Sequence, residues 1–287
     1  MAFVYACIAP HPPVIVPEIG RGREADTAAT LEALARVASE LAERQPQTAI
    51  VVSPHGPVRY EAMGILTAPQ ISGTFADWGA SSVSFDFQND LELVDRIRQE
   101  AGAAGLPLTS LAHWGRGLDW GCTVPLYHLR SALAEVRLVP MTISFLELQR
   151  HFDFGQAIAR AVAALDRPVA FICSADLSHA LTPDAPNGYD PAGRLFDEKY
   201  CRAVAEWDVH WVVTADHSFR THAAEDATPQ TAMLMGALDG CQVLPQVLSY
   251  EGPFGVGYMV AGIDILNPAG QPQRTQEEGA SLGPEAR

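Results

Sequence analysis

The sequence predicts an α/β fold, a single domain whose central mixed sheet is flanked by helices on both faces. Three observations predict it. Short apolar runs rich in β-branched and aromatic residues recur along the chain and read as buried strands. Segments with apolar residues at helical spacing lie between them. No linker, internal repeat or low-complexity stretch divides the body, and 287 residues is long for one domain but short for two.

The first run is Phe3-Val4-Tyr5-Ala6-Cys7-Ile8-Ala9, and it ends in Pro10-His11. The prolines of Pro12-Pro13-Val14-Ile15-Val16-Pro17 then predict an extended loop kept out of helix. Residues 26–44 place Leu31, Leu34, Ala35, Val37, Ala38 and Leu41 on one side of a helix. A second run, Ala49-Ile50-Val51-Val52-Ser53, ends in Pro54-His55. Strand, loop, helix and strand in this order open a sheet with helices on its faces.

Further on, strands are expected at 62–67 and 82–87, then a helix from 90 to about 103. Residues 113–121 read as a loop and 124–133 as a helix. A strand is expected at 137–144, a helix at 154–165 and a buried strand at 168–174. Helices at 192–207 and 228–238 and a closing strand at 256–265 complete a domain over residues 1–266. Residues 267–287 are rich in Gln, Glu, Gly and Pro and are expected to form a disordered tail.

Composition excludes several classes of function. The net charge is −15 and Lys199 is the single lysine, so no basic patch exists to meet nucleic acid or an anionic membrane. No apolar run reaches the length of a membrane span. The first strand has no basic segment before it, so no signal peptide is expected. The 5 cysteines, Cys7, Cys122, Cys173, Cys201 and Cys241, are odd in number and widely spaced. That argues against a disulfide framework or a zinc knuckle and for a reducing cytoplasm.

The two strand-Pro-His elements carry the chemistry. Proline offers no N–H to continue a ladder, so each imidazole follows the carboxyl end of a strand. In open α/β sheets ligands bind at that edge. A single histidine after a strand is more often structural; the repetition points to a metal site. Asp176-Leu177-Ser178-His179 brings a third histidine just past a buried strand, suited to proton transfer near neutral pH. Asp176 and Ser178 would either orient it or cap a following helix. Glu251 lies in a Gly/Pro-rich aromatic loop, Ser249-Tyr250-Glu251-Gly252-Pro253-Phe254, where a carboxylate is either solvated or a hard-oxygen ligand. Two imidazoles and one carboxylate with open positions opposite suit non-heme iron, and also catalytic zinc.

Taken together, Ala9-Pro10-His11-Pro12-Pro13, Ser53-Pro54-His55-Gly56, Asp176-Leu177-Ser178-His179 and Gly255-Val256-Gly257-Tyr258 resemble the class III extradiol ring-cleavage dioxygenases. The likeness is to the catalytic B subunit of the protocatechuate 4,5-dioxygenase type, and it extends to the related Memo-like proteins. The resemblance implies a mononuclear Fe(II), with zinc an ion that purification could leave in its place. It implies His11, His55 and Glu251 as metal ligands, and His179 as acid/base. It also implies a small aromatic diol or aminophenol and O2 as substrates, and a homo-oligomer such as a dimer.

One segment departs from the family pattern. Active members carry a histidine in an Asp-His-Gly element ahead of Val-Pro-Leu; here Asp119-Trp120-Gly121 precedes Val124-Pro125-Leu126. An indole stacks on an aromatic ring but exchanges no proton. His113, seven residues earlier, is the candidate substitute. The Memo-like alternative is a metal-binding protein without dioxygenase activity that acts through a partner.

Overall fold

Eight strands form one mixed sheet, and the four at its centre run parallel. The structure is a computed structural model that describes residues 3–165 and 167–267. Its strands are β1 Phe3–Ala9, β2 Thr48–Ser53, β3 Met63–Leu66, β4 Gln70–Phe75, β5 Ala80–Gln88, β6 Leu108–Leu111, β7 Arg137–Thr142, β8 Val169–Ser174, β9 Gln242–Glu251 and β10 Tyr258–Asn267. The sheet order is β6-β3-β7-β2-β8-β1-β10-β9, and β4 pairs with β5 in a separate two-stranded ribbon. The expected mixed sheet with helices on both faces is thus the observed one. Of the expected tail only Asn267, the last residue of β10, is described; residues 268–287 lie outside the described residues.

Strand alternation divides the core into two layers. Ala6 and Ile8 of β1, Ile50 and Val52 of β2, and Phe171 and Cys173 of β8 face one layer, with Phe154, Ile158 and Met233 from covering helices. Tyr5, Cys7 and Ala9, Ala49 and Val51, and Ala170 and Ile172 face the other, with Leu34, Val37 and Leu41 of the Ala28–Arg44 helix. β1, β2 and β8 are buried along nearly their whole length, as strands covered on both faces must be.

The connections decide where the site lies. The Ala28–Arg44 helix carries the chain from β1 to β2, which pairs with β7 and β8 rather than with β1. β8 later fills the gap, pairing with β1 on one side and β2 on the other. The carboxyl ends of β1, β8 and β2 therefore sit side by side on one edge, the side on which such sheets bind ligands.

Several elements differ from the sequence expectation, each for an identifiable reason. The proline-rich segment after His11 is not extended: a 3-10 turn at Pro13–Ile15 and a helix at Pro17–Gly20 each place proline in the first turn, where no N–H is needed. The helix expected at 124–133 begins earlier, as Trp120–Leu129, and contains Pro125. The helix expected at 154–165 is Leu148–Ala163. β9 was hidden by Pro245, which an edge strand accommodates. β6 and the short helices Val209–Thr214 and His217–Ala223 are too brief to show a periodicity, and β4 alternates buried with exposed residues but has Gly73 at the middle of its buried face.

The Leu148–Ala163 and Thr228–Ala237 helices approach so closely that a Cβ on Gly236 would run into the Phe152 carbonyl, and one on Gly155 into that of Met233. Gly236→Ala should overpack this contact and lower unfolding free energy by about 1–3 kcal/mol in urea denaturation. Two buried histidines also bear on stability. His151 is fully buried, accepts the Ser144 N–H at Nε2 and donates from Nδ1 to the Glu147 carbonyl. Burial lowers the pKa of both His128 and His151 from 6.5 to about 4. Below pH 6.5 the unfolded chain takes up protons the folded chain refuses, so stability should fall as pH drops from about 6.5 to 4. The loss is of order 3 kcal/mol per histidine. His151→Gln should flatten that slope in denaturation measured across this range; an unchanged slope would remove His151 from the account.

Candidate metal centre

β1 ends at Ala9, whose carbonyl is taken by the Ala175 N–H at 3.0 Å, and the chain turns through Pro10 into His11. The His11 N–H donates to Asp176 Oδ1 at 2.8 Å. Its Nδ1 lies 2.9 Å from Ser174 Oγ, at the end of β8. The ring is 1% exposed. β2 ends at Ser53, whose Oγ accepts the His55 N–H at 3.1 Å and donates to Asp119 Oδ1 at 2.7 Å. Asp119 Oδ2 accepts Trp114 Nε1–H at 2.7 Å, and Trp120 stacks on the His55 ring with centroids 4.5 Å apart.

These constraints aim both Nε2 atoms at one point, 2.9 Å from each other. The third group at that point is Asp226, whose Oδ2 lies 3.1 Å from His55 Nε2 and 3.4 Å from His11 Nε2. Asp226 comes from the loop between the His217–Ala223 and Thr228–Ala237 helices. Its Oδ1 accepts the Asp176 N–H at 3.0 Å, which leaves Oδ2 to face the rings. Glu225 braces the loop, accepting Arg220 Nε–H at 2.5 Å on one oxygen and the N–H groups of Ala227 and Thr228 on the other. Gln230 Nε2 donates to the Ser174 and Asp226 carbonyls and ties this loop to β8.

The electrostatics favour positive charge at this point. Burial acts against a charge on His11, but Asp176 and Asp226 outweigh it and raise its pKa to about 9. Burial likewise acts against charge on Asp226, yet the neighbouring His11 outweighs it and holds this carboxyl below the usual range. Asp176 is pushed up, chiefly by burial. The donor spacing also fits an ion: two donors at right angles and about 2.1 Å from one ion lie about 3.0 Å apart. Among the described residues, His11, His55 and Asp226 are the group whose donor atoms lie within 4.8 Å of one another. Two imidazoles and a carboxylate suit a borderline divalent metal such as iron or zinc.

The structure does not bring every expected residue here. Glu251, expected as the carboxylate ligand, is engaged elsewhere: its Oε1 accepts the Thr30 N–H at 2.7 Å and the Thr30 hydroxyl at 2.5 Å, in the first turn of the Ala28–Arg44 helix. The carboxylate beside the two histidines is that of Asp226. His113, the candidate substitute for Trp120, is exposed and lines an adjoining 170 Å³ groove with Ala68, Gln70 and Ser72. His179 does belong to the neighbourhood, close enough to interact electrostatically with Asp176 and Asp226. Its Nδ1 faces two acceptors, the carbonyls of Ala224 at 2.9 Å and Leu177 at 3.1 Å, so it carries the proton and leaves a lone pair on Nε2. Ala224 holds a left-handed conformation at φ 51°, a strained backbone position where helix meets loop.

Two clefts reach the group. One, of 460 Å³, is lined by His55, Trp78, Trp114, Arg116 and Trp120, and lies beneath the ribbon of β4 and β5. The other, of 690 Å³, is lined by Asp226, Arg220, Ile143 and Phe145. Asp226 escaped sequence reading because an acidic residue just before Thr228-Pro229 is the ordinary signature of a helix start.

Comparison with known proteins agrees with this architecture. A protein of Clostridium acetobutylicum is 34% identical over 265 residues, which is 90% of this chain and 57% of that protein. The chain thus spans little more than half of that relative's length. A MEMO1 family protein of Thermococcus onnurineus is 32% identical over 124 residues, 43% of this chain and 40% of the relative. The crystal structure of an uncharacterised Escherichia coli K12 protein shares the fold, with a TM-score of 0.63 at 17% identity over 90% of this chain and 99% of its own. Residues 5–261 match the family described as the catalytic LigB subunit of aromatic ring-opening dioxygenase. With its parallel strand ends, paired histidines and nearly complete match, the chain belongs to that family.

Proposed function

We propose that the protein is a non-heme Fe(II)-dependent extradiol dioxygenase-like enzyme that opens the ring of a small aromatic diol or aminophenol with O2. The observation that carries this reading is the convergence of His11, His55 and Asp226 at the sheet edge. These three side chains would hold the iron, with one cleft reaching His55 and the other Asp226. When bound, iron supplies the redox chemistry between the diol and O2. The residues supply binding and proton handling. The Trp78, Trp114 and Trp120 side chains line an aromatic cleft leading to His55, suited to stacking a flat ring. His179, its proton held on Nδ1 by two carbonyls, offers Nε2 as the base for a substrate hydroxyl and later as the acid.

His11→Ala, His55→Ala and Asp226→Ala should each abolish stoichiometric iron binding, whereas Glu251→Ala should retain it; metal content after anaerobic Fe(II) loading and desalting decides. Loaded enzyme should consume O2 with at least one member of a catechol and aminophenol panel and form a ring-opened product. His179→Gln should keep the iron while lowering kcat by about 10²–10⁴-fold. Retained metal with no O2 uptake on any substrate would point to a second reading. That reading is a Memo-like metal-binding protein acting through a partner. It is favoured by Trp120, which packs on His55 in the position where active family members carry a proton-exchanging histidine.

A further inference from the structure

We propose that Ser174 is a positioning residue whose hydroxyl holds the His11 proton on Nδ1 and so keeps the Nε2 lone pair turned towards His55 and Asp226. The cause begins at a proline. Gly121 lies in the first turn of the Trp120–Leu129 helix, and the residue four positions on is Pro125, which has no N–H to give the Gly121 carbonyl. The Ser174 hydroxyl takes that role, donating to the Gly121 carbonyl at 2.5 Å. A serine hydroxyl has one proton. With it committed to Gly121, Ser174 presents lone pairs to His11 Nδ1, 2.9 Å away, and Nδ1 must be the donor. In the neutral ring Nε2 is then unprotonated, 2.9 Å from His55 Nε2 and 3.4 Å from Asp226 Oδ2.

Burial makes the arrangement selective. Ser174 is 0% and His11 1% exposed, so solvent does not offer the Nδ1 proton an equivalent acceptor. The same glycine bounds the other histidine. A Cβ on Gly121 would run into Ser53 Oγ and Asp119 Oδ1 and come within 3.4 Å of His55 Cδ2. One backbone unit thus governs His11 through its carbonyl and His55 through its bare Cα.

This inference rests on the reading of His11 as a metal ligand, and two measurements separate them. The first is the Zn(II) dissociation constant from competition with a chromophoric chelator. The second is the ¹⁵N NMR signature of the His11 ring in metal-free protein, read on the alkaline side of the ring's own measured titration. Wild type should show the Nδ1–H form. Ser174→Ala should mix the two tautomers and weaken Zn(II) by about 10–100-fold, and Ser174→Thr should restore both. Pro125→Ala returns a helical N–H to the Gly121 carbonyl, freeing the Ser174 proton; it should weaken Zn(II) without altering a residue that touches His11. An Nε2–H ring in wild type, or unchanged zinc affinity in both Ser174→Ala and Pro125→Ala, would overturn the proposal. A wild type that binds neither zinc nor iron but shows the Nδ1–H form, lost in Ser174→Ala, would sink the metal reading and leave the positioning role standing.

Discussion

Two imidazole nitrogens 2.9 Å apart, with one carboxylate oxygen within 3.4 Å of both, form a set of donor atoms that must share either a proton or a cation. Two bare lone pairs would repel, so without a cation one Nε2 carries the proton that bridges to the other, with the Asp226 carboxylate beside them. A proton on His11 meets the need in part, which is why Asp176 and Asp226 hold its pKa near 9 despite burial. A divalent cation meets it better, because all three donors reach it at once. Much of the surrounding structure serves to hold these groups against their mutual repulsion.

The holding is done mainly by backbone and short side chains. Ser174, Ser53, Asp119, Asp176 and Gln230 each tie one site element to another, and each sits at a strand end or the first turns of a helix. Such elements place groups more accurately than free loops do. Glu225 does the same for the loop that carries Asp226, using both carboxylate oxygens. The departure from an ideal helix at Pro125 becomes part of the site, since it leaves the Gly121 carbonyl to Ser174.

Trp120 changes the character of one approach to the centre. The indole stacks on His55 and meets Trp78 edge to face, so the 460 Å³ cleft is aromatic where a proton-exchanging histidine would make it polar. His179 reaches the neighbourhood from the other side, past the end of β8, with Nδ1 turned to the Ala224 carbonyl. The 690 Å³ cleft beside Asp226 offers a second approach with a different lining, and Arg220 there is already paired with Glu225.

The sequence by itself determined the sheet-and-helix class and the position of His11, His55 and His179 just past buried strands. Those features are local: a β-branched run, the missing N–H of a proline and the histidine after it lie within a few residues of each other. Most helices were legible for the same reason, through their own periodicity. Glu251 and Asp226 could not be told apart in this way. Each is an acidic residue flanked by turn-forming sequence, Glu251 at the end of β9 and Asp226 between two helices, and nothing in its neighbours states which one the chain returns to the β1 and β2 ends. The outcome follows from where β9 and the Thr228–Ala237 helix pack: Glu251 meets the start of the Ala28–Arg44 helix and Asp226 meets the histidines. His113 lies close in sequence to Trp120, yet it lines the adjoining groove and not the cleft beside His55. Only the tertiary structure decided which carboxylate stands beside the two histidines, because a site assembled from separate loops depends on long-range packing that no local pattern encodes.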